Sequence, residues 1–422
     1  MSRACAHAGA VYTVSMADST KADPTDAHAG LVKVASERAT HLRRDIHAHP
    51  ELMFEEVRTA GVVAKELESL GIAHKSGLAK GTGVLGFLPA TTAAPEDAKT
   101  VGLRADMDAL PIEEETGVEY ASTTKGVMHA CGHDGHTAGL MGVAHVLAKT
   151  EERKNNVLFV FQPAEEGGGG ARYLCEEGAM DGSVIGRPVD VMFGAHGFPD
   201  LEVGRVSVRD GVMFASTDEF VLTVSGKGGH AAYPHLSIDP VVVAAHVITA
   251  LQTVVSRRVA PSDSAVITVG SIHAGTTFNV IPDSCEMKGT LRALTLETRK
   301  FLEEEFRLIV NNTAATFGAS ASIEWIPGYP ATVNDPEPSA RFREVASETI
   351  GGALVEEKPT PTMGGEDFSY YGERVPSCFF LVGLRPQGWH TSPGLHTPRF
   401  DFNDEALPVS IGVMSRLALG DV

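Results

Sequence analysis

Between residues 29 and 70 apolar side chains recur three and four positions apart while charged residues fill the opposite face, a spacing that predicts amphipathic helix. The histidine-rich stretch 45–50, closing on Pro50, predicts a turn between two such helices, and Gly71 predicts the stop of the second. Apolar runs at 83–88 and 100–104, separated by a Pro/Ala/Thr stretch, predict two strands. Helical spacing follows at 137–149, a continuous apolar strand at 157–162, helix around 171–177 and a further apolar strand at 189–195. Strands alternating with helices predict an α/β sheet covered on both faces.

The pattern changes near Gly211. A strand at 219–225, helix at 240–257, strands at 265–273 and 284–293, helix at 295–316 and a strand at 320–326 give the order β-α-β-β-α-β. That is the ferredoxin-like split unit, which closes on itself as a small α+β domain. After Pro327 the earlier alternation returns, with helix at 341–350, an apolar strand at 378–382 and a final helix from Leu407. The expected organisation is one discontinuous α/β domain, 29–212 with 328–422, interrupted by an insert at 213–327 and preceded by a disordered extension at 1–28.

Composition narrows the partners. The 422 residues carry 54 acidic against 35 basic side chains, a net charge of −19, which disfavours nucleic acid and anionic membrane. No run of about 18 apolar residues is evident, so no membrane-spanning helix is expected. Cys5, Cys131, Cys175, Cys285 and Cys378 are odd in number and far apart, which fits a reducing, cytoplasmic location better than a disulfide framework. The first 29 residues make a poor signal peptide, and Met16 is a second possible start.

The densest polar cluster is His129-Ala-Cys131-Gly-His133-Asp134-Gly-His136, just ahead of a predicted helix. Cysteine and histidine two positions apart on an extended loop face the same side and can hold one ion, although the same loop could simply cap a helix with solvated histidines. Gln162-Pro-Ala-Glu165-Glu166-Gly167 ends an apolar strand, where open α/β sheets bind ligands. Adjacent carboxylates point apart, so one can bind metal while the other moves a proton. Glycines 167–170 do not form a phosphate loop, because no Lys-Ser/Thr follows them. His196 and His396 each close an apolar strand or loop; either alone reads as an ordinary loop or core histidine. Taken together, one cysteine, one glutamate and three histidines suit zinc, manganese, cobalt or nickel. They exceed the needs of one tetrahedral ion, and two ions sharing a thiolate would use them all.

These segments, with Arg104-Ala-Asp106-Met-Asp108-Ala-Leu-Pro111, Gly228-Gly-His230, His273-Ala-Gly275 to Asn279-Val-Ile-Pro282, Gly364-Gly-Glu366-Asp367-Phe368 and Leu395-His396-Thr-Pro398, occur in one order over residues 40–405. In that order they resemble the M20 peptidase family of metal-dependent amidohydrolases, and within it the subgroup of hippurate hydrolases, N-acyl-amino-acid aminoacylases and auxin-conjugate hydrolases. The resemblance implies a dinuclear-metallopeptidase domain, a mixed sheet flanked by helices, carrying an inserted ferredoxin-like lid that also forms a homodimer. It implies two divalent ions bridged by Cys131, one completed by His133 and His196, the other by Glu166 and His396. Glu165 would be the general base toward a metal-bridged hydroxide, Asp106 would orient a ligand, and His230, from a partner subunit, would stabilise the oxyanion. Asn279 and Arg292 would hold the substrate carboxylate. One departure stands out: where other branches of the family carry His-x-Asp, this chain has Arg104-Ala-Asp106, and His133 would substitute for the missing histidine. The implied reaction is hydrolysis of an N-acyl amino acid, with a dipeptidase or acyl-diaminopimelate deacylase as the nearest alternative and a non-catalytic metal-dependent binding protein as a remote one.

Overall fold

The computed structural model describes residues 24–421, so residues 1–23 of the expected extension lie outside the described residues. Residues 24–28 do not belong to an extension, because the first helix already begins at Pro24 and runs Pro24–His47. A proline suits that first turn, where its missing N–H would have had no partner. The second helix, Val57–Ser69, stops as Gly71 takes a left-handed φ of 69° and the Ile72 N–H closes on the Leu67 carbonyl at 2.9 Å.

Eight strands form the large sheet, in the order Ala73–Leu78, Gly83–Leu88, Asn156–Gln162, Thr100–Asp106, Val191–Glu202, Ser377–Arg385, Val206–Val208 and Val355–Glu357. The four central strands, Asn156–Gln162 through Ser377–Arg385, run parallel. Two of them, Thr100–Asp106 and Asn156–Gln162, are buried along their whole length, as their unbroken apolar runs require when helices cover both faces. Strands 83–88 and 100–106, which follow one another in sequence, are not neighbours: Asn156–Gln162 lies between them, antiparallel to one and parallel to the other. The edge strand Ala73–Leu78 lacks any buried residue, so no alternation announces it.

On one face the helices Pro24–His47, His133–Lys149 and Leu407–Leu419 pack together, with Pro336–Ile350 against the last of them. Two of these start earlier than their apolar spacing suggests, at His133 rather than 137 and at Pro336 rather than 341. Their first turns are built from polar residues and prolines that satisfy a helix start without contributing to the apolar stripe. The opposite face carries Gly170–Glu176 and Ser369–Gly372 over Leu158, Val160, Met192 and Phe379.

The second sheet has the order Ala265–Ala274, Ser284–Ala293, Ser216–Ser225, Ser320–Pro327, all antiparallel. In chain order that is second, third, first, fourth, the arrangement of the ferredoxin-like unit. Strand Ser216–Ser225 alternates buried and more exposed residues, because the helices Pro240–Thr253 and Leu296–Thr316 cover one face only. Although it holds no unbroken run of 18 apolar residues, Pro240–Arg258, with 19 residues and a mean hydropathy of 1.3, is long and apolar enough to cross a membrane by length and composition alone. Its Val243, Ala244, Val247 and Leu251 are buried against the small sheet, while Val241 and Val242 are exposed.

Candidate metal centre

Parallel strands set this site. Asp106 and Gln162 end neighbouring strands, His196 lies on the next, and their side chains gather at the carboxyl edge of the sheet. The chain then turns under constraint. Between Cys131 and the helix His133–Lys149, Gly132 takes φ 89°, and a Cβ there would meet Phe402 at 3.2 Å. Two residues other than glycine also adopt left-handed backbone at the site, Ala164 (φ 56°) beside Glu165 and His396 itself (φ 60°). Each such residue costs roughly 1–2 kcal/mol and persists only where its surroundings hold it. Ala164 donates its N–H to Glu56 Oε1 at 2.8 Å, and His396 donates its N–H to the Ala130 carbonyl at 2.8 Å.

The donor atoms form two overlapping triads. Cys131 Sγ lies 3.4 Å from His196 Nε2 and 3.3 Å from His396 Nε2, and His396 Nε2 is 3.0 Å from Glu166 Oε1. One ligand atom each from Cys131, His133 and His196 lie within 4.8 Å of one another, and so do those from Cys131, Glu166 and His396. The thiol is the only member common to both. Tautomers agree with a ligand role. His133 Nδ1 donates to the Asp108 carbonyl at 2.9 Å and His196 Nδ1 to the Gly197 carbonyl at 2.7 Å, so each Nε2 keeps its lone pair. His133 Nε2 is buried and makes no hydrogen bond.

Charge argues the same way. Burial and the carboxylates of Glu166, Glu165 and Asp106 push the Cys131 thiol well above its usual range. Burial, then Glu366, Glu166, Asp367 and Asp108, likewise hold the Glu165 carboxyl well above the usual carboxylate range. A buried thiol and several carboxylates at such distances are short of positive charge, and divalent cations at the two triads would supply it. The donor set of one thiolate, three imidazoles and a carboxylate fits borderline divalent metals.

Around the triads stands a buried scaffold. Arg104, wholly buried, reaches Asp106 Oδ2 at 2.7 Å, Glu366 Oε1 at 2.8 Å, Asp367 Oδ1 at 3.0 Å and Gln162 Oε1 at 2.9 Å. Burial would raise Asp106, yet Arg104, His133 and His136 hold it well below the usual range. His136, part of the sequence cluster, is not a free ligand: its Nδ1 bonds Asp106 Oδ1 at 2.7 Å and its Nε2 accepts the Gly197 N–H at 2.8 Å. Asp108 has no role among the expectations above, but its carboxylate accepts the N–H groups of Glu165 (3.0 Å) and Glu166 (2.9 Å) and lies 3.2 Å from His133 Nδ1. Tyr329, also missed, donates its hydroxyl to the Glu165 carbonyl at 2.5 Å. Asp108, Glu366 and Asp367 stand inside the quoted motifs; Tyr329 carries no such signal.

Cys131, Glu165, Glu166, His196 and His396 line a cavity of about 830 Å³, and Arg292 of the small sheet lines it too. Asp106 and His133 are buried behind these. His230 and Asn279 are not brought to it. They sit together on an exposed ribbon where Val280 pairs with His230 and the Ala231 N–H bonds the Asn279 carbonyl at 3.1 Å.

Known proteins resemble this chain along most of its length. N-acetylcysteine deacetylase of Bacillus subtilis (strain 168) is 40% identical over 387 residues, 90% of this chain and 96% of that one. IAA-amino acid hydrolase ILR1-like 4 of Arabidopsis thaliana is 40% identical over 382 residues, 89% of this chain and 84% of its own. Among solved structures, the Bacillus subtilis YXEP protein, described as a dinuclear metal binding peptidase from the M20 family, superposes with a TM-score of 0.76 at 36% identity, covering 92% of this chain and 98% of that one. Residues 102–420 match the profile of peptidase family M20/M25/M40, and with the shared sheet and its gathered donors this chain belongs to that family.

Proposed function

We propose that the protein is a metal-dependent amidohydrolase that cleaves N-acyl amino acids to a carboxylic acid and a free amino acid. The observation that carries this reading is the pair of donor triads sharing Cys131 with a further carboxylate, Glu165, whose oxygen lies within 4.8 Å of ligand atoms of His133 and Glu166. Relatives named for deacetylating N-acetylcysteine and for hydrolysing auxin-amino-acid conjugates support the substrate class.

Cys131, His133, His196, Glu166 and His396 would hold two divalent ions, with zinc, manganese, cobalt and nickel all suited to the donors. Bound there, the ions supply Lewis acidity toward the amide carbonyl and toward water. Glu165 takes a proton from the attacking water as the C–O bond forms, then delivers it to the leaving amine as the C–N bond breaks. Asp108 fixes the backbone of Glu165 and Glu166 and the ring of His133, so base and ligands keep one geometry. Arg292, whose guanidinium among the described residues hydrogen-bonds only Thr290 Oγ1 and the Leu291 carbonyl, is available to take the amino-acid carboxylate bidentately. His230 and Asn279 complete the site from a second copy of the chain, since both stand on the exposed ribbon.

The test is turnover, on protein reconstituted with each of the four metals, of N-acyl amino acids against free dipeptides. Metal-dependent release of amino acid from the N-acyl series is expected; cleavage confined to dipeptides, or ligand binding without hydrolysis, would contradict the reading.

A further inference from the structure

The cavity over the donor triads is also lined by Lys358, a cation with no ion-pair partner among the described residues. Lys358 follows the edge strand Val355–Glu357, and its backbone N–H bonds the Val208 carbonyl at 2.8 Å, which anchors its stem at the rim of the large sheet. Its Nζ stands 4.9 Å from the ring centroid of Phe198, and both residues line the cavity. Phe198 lies two positions after His196 on one strand, so the two side chains share a face about 7 Å apart and join the donor triads to Lys358 along one wall.

Among the described residues Lys358 forms no ion pair, and its closest charged influences are Arg209, which repels it, and Asp200, which opposes that repulsion. Burial and Arg209 lower its proton affinity. Behind it Arg209 keeps its Nε and Nη1 buried without a hydrogen bond, so the charge nearest Lys358 is not neutralised by an ion pair among the described residues. The other cavity cations differ. Arg172 has Glu176 at 3.9 Å, and Arg292 is accounted for by the substrate's own carboxylate. In a chain of net charge −19, an unpaired, partly desolvated ammonium over an aromatic ring in a reaction cavity is a place for an anion.

Resting on the reading of the site as an N-acyl-amino-acid hydrolase, we infer that Lys358 anchors the far end of the acyl subsite and that the preferred acyl group ends in a carboxylate. The substrate class is then the short dicarboxylic half-amide, of N-succinyl or N-glutaryl length. Its hydrolysis balances as for any amide: water adds to the carbonyl carbon, the C–N bond breaks, one proton goes to the amine, and a dicarboxylate and a free amino acid leave.

The experiment compares kcat/KM of the metal-loaded enzyme for N-succinyl, N-glutaryl, N-pentanoyl and N-(4-aminobutanoyl) derivatives of one amino acid. The wild type should favour the anionic acyl groups over neutral N-pentanoyl by about tenfold or more, the discrimination expected of a charge-assisted hydrogen bond. Lys358→Met should bring that ratio close to one, and Lys358→Glu should reverse it in favour of the 4-aminobutanoyl substrate. A wild type that prefers the neutral acyl group, or a ratio unmoved by either substitution, overturns the inference while leaving amide hydrolysis intact. Failure to cleave any member of the series overturns the proposed function together with it.

Discussion

Cys131 is 6% exposed, and the charges that bear most on its thiol, those of Glu166, Glu165 and Asp106, are carboxylates. The metal-loaded protein therefore depends on this sulfur more than on any one imidazole, since it alone belongs to both triads. Cys131→Ala should lose about half or more of the bound metal on elemental analysis, whereas His396→Ala, affecting one triad, should lose less. Equal, undiminished metal in both variants would contradict a shared thiol. At this scale the sequence is informative wherever donors sit close together in the chain. Cys131 with His133, and Glu165 with Glu166, announce themselves through spacing, while Arg292 is legible only through what the family resemblance implies. Tyr329 and Lys358 carry no such signal, because what defines them is a contact far along the chain. Tyr329 bonds a carbonyl 164 positions away, and the Arg104–Glu366 pair joins residues 262 apart.

At the scale of elements, the first helix is tied to the loop that carries the ligands. Its His47 bonds Asp134 Oδ2 through Nδ1 at 2.8 Å and approaches Glu114 Oε1 through Nε2 at 3.3 Å, while Arg43, one turn earlier, reaches Asp134, Asp401 and Asp404. Burial would depress His47, but the hydrogen bond to Asp134 and the charges of Asp134 and Glu114 raise it to about 9. A histidine raised on folding stabilises most below its unfolded value of 6.5 and loses that contribution as pH rises through about 9. The loss amounts to about 3 kcal/mol across that window. Urea unfolding of the metal-loaded protein from pH 6 to 10 should therefore weaken more steeply in the wild type than in His47→Gln; parallel profiles would show that His47 is not held charged. Elements with a clean apolar period were legible in the sequence, among them the buried strand Asn156–Gln162 and the helix Leu296–Thr316. The exposed edge strand Ala73–Leu78 and the short strands Val206–Val208 and Val355–Glu357 were not, since three residues, or a strand with no buried position, leave no period to read.

On the scale of the whole molecule, the insert stands as a separate sheet with its own core of Phe220, Leu222, Met287, Phe306 and Val310, while Arg292 on that sheet faces the cavity of the larger domain. The ferredoxin-like order was visible in the sequence because each of its elements has a strong local pattern; which sheet edge meets the site depends on pairings that no local pattern encodes. If His230 completes the site of a second copy, inactive Glu165→Gln and His230→Ala chains should restore roughly a quarter of wild-type activity when co-expressed, because half the dimers then hold one intact site. No recovery would show that His230 does not act across subunits. The central claim is that Glu165 moves the proton in metal-dependent cleavage of an N-acyl amino acid, and the most direct measurement is kcat of Glu165→Gln with its metal content determined on the same sample. The account predicts an unchanged complement of ions and a kcat lower by about 10²–10⁴-fold; a fully metallated variant turning over near the wild-type rate would contradict it.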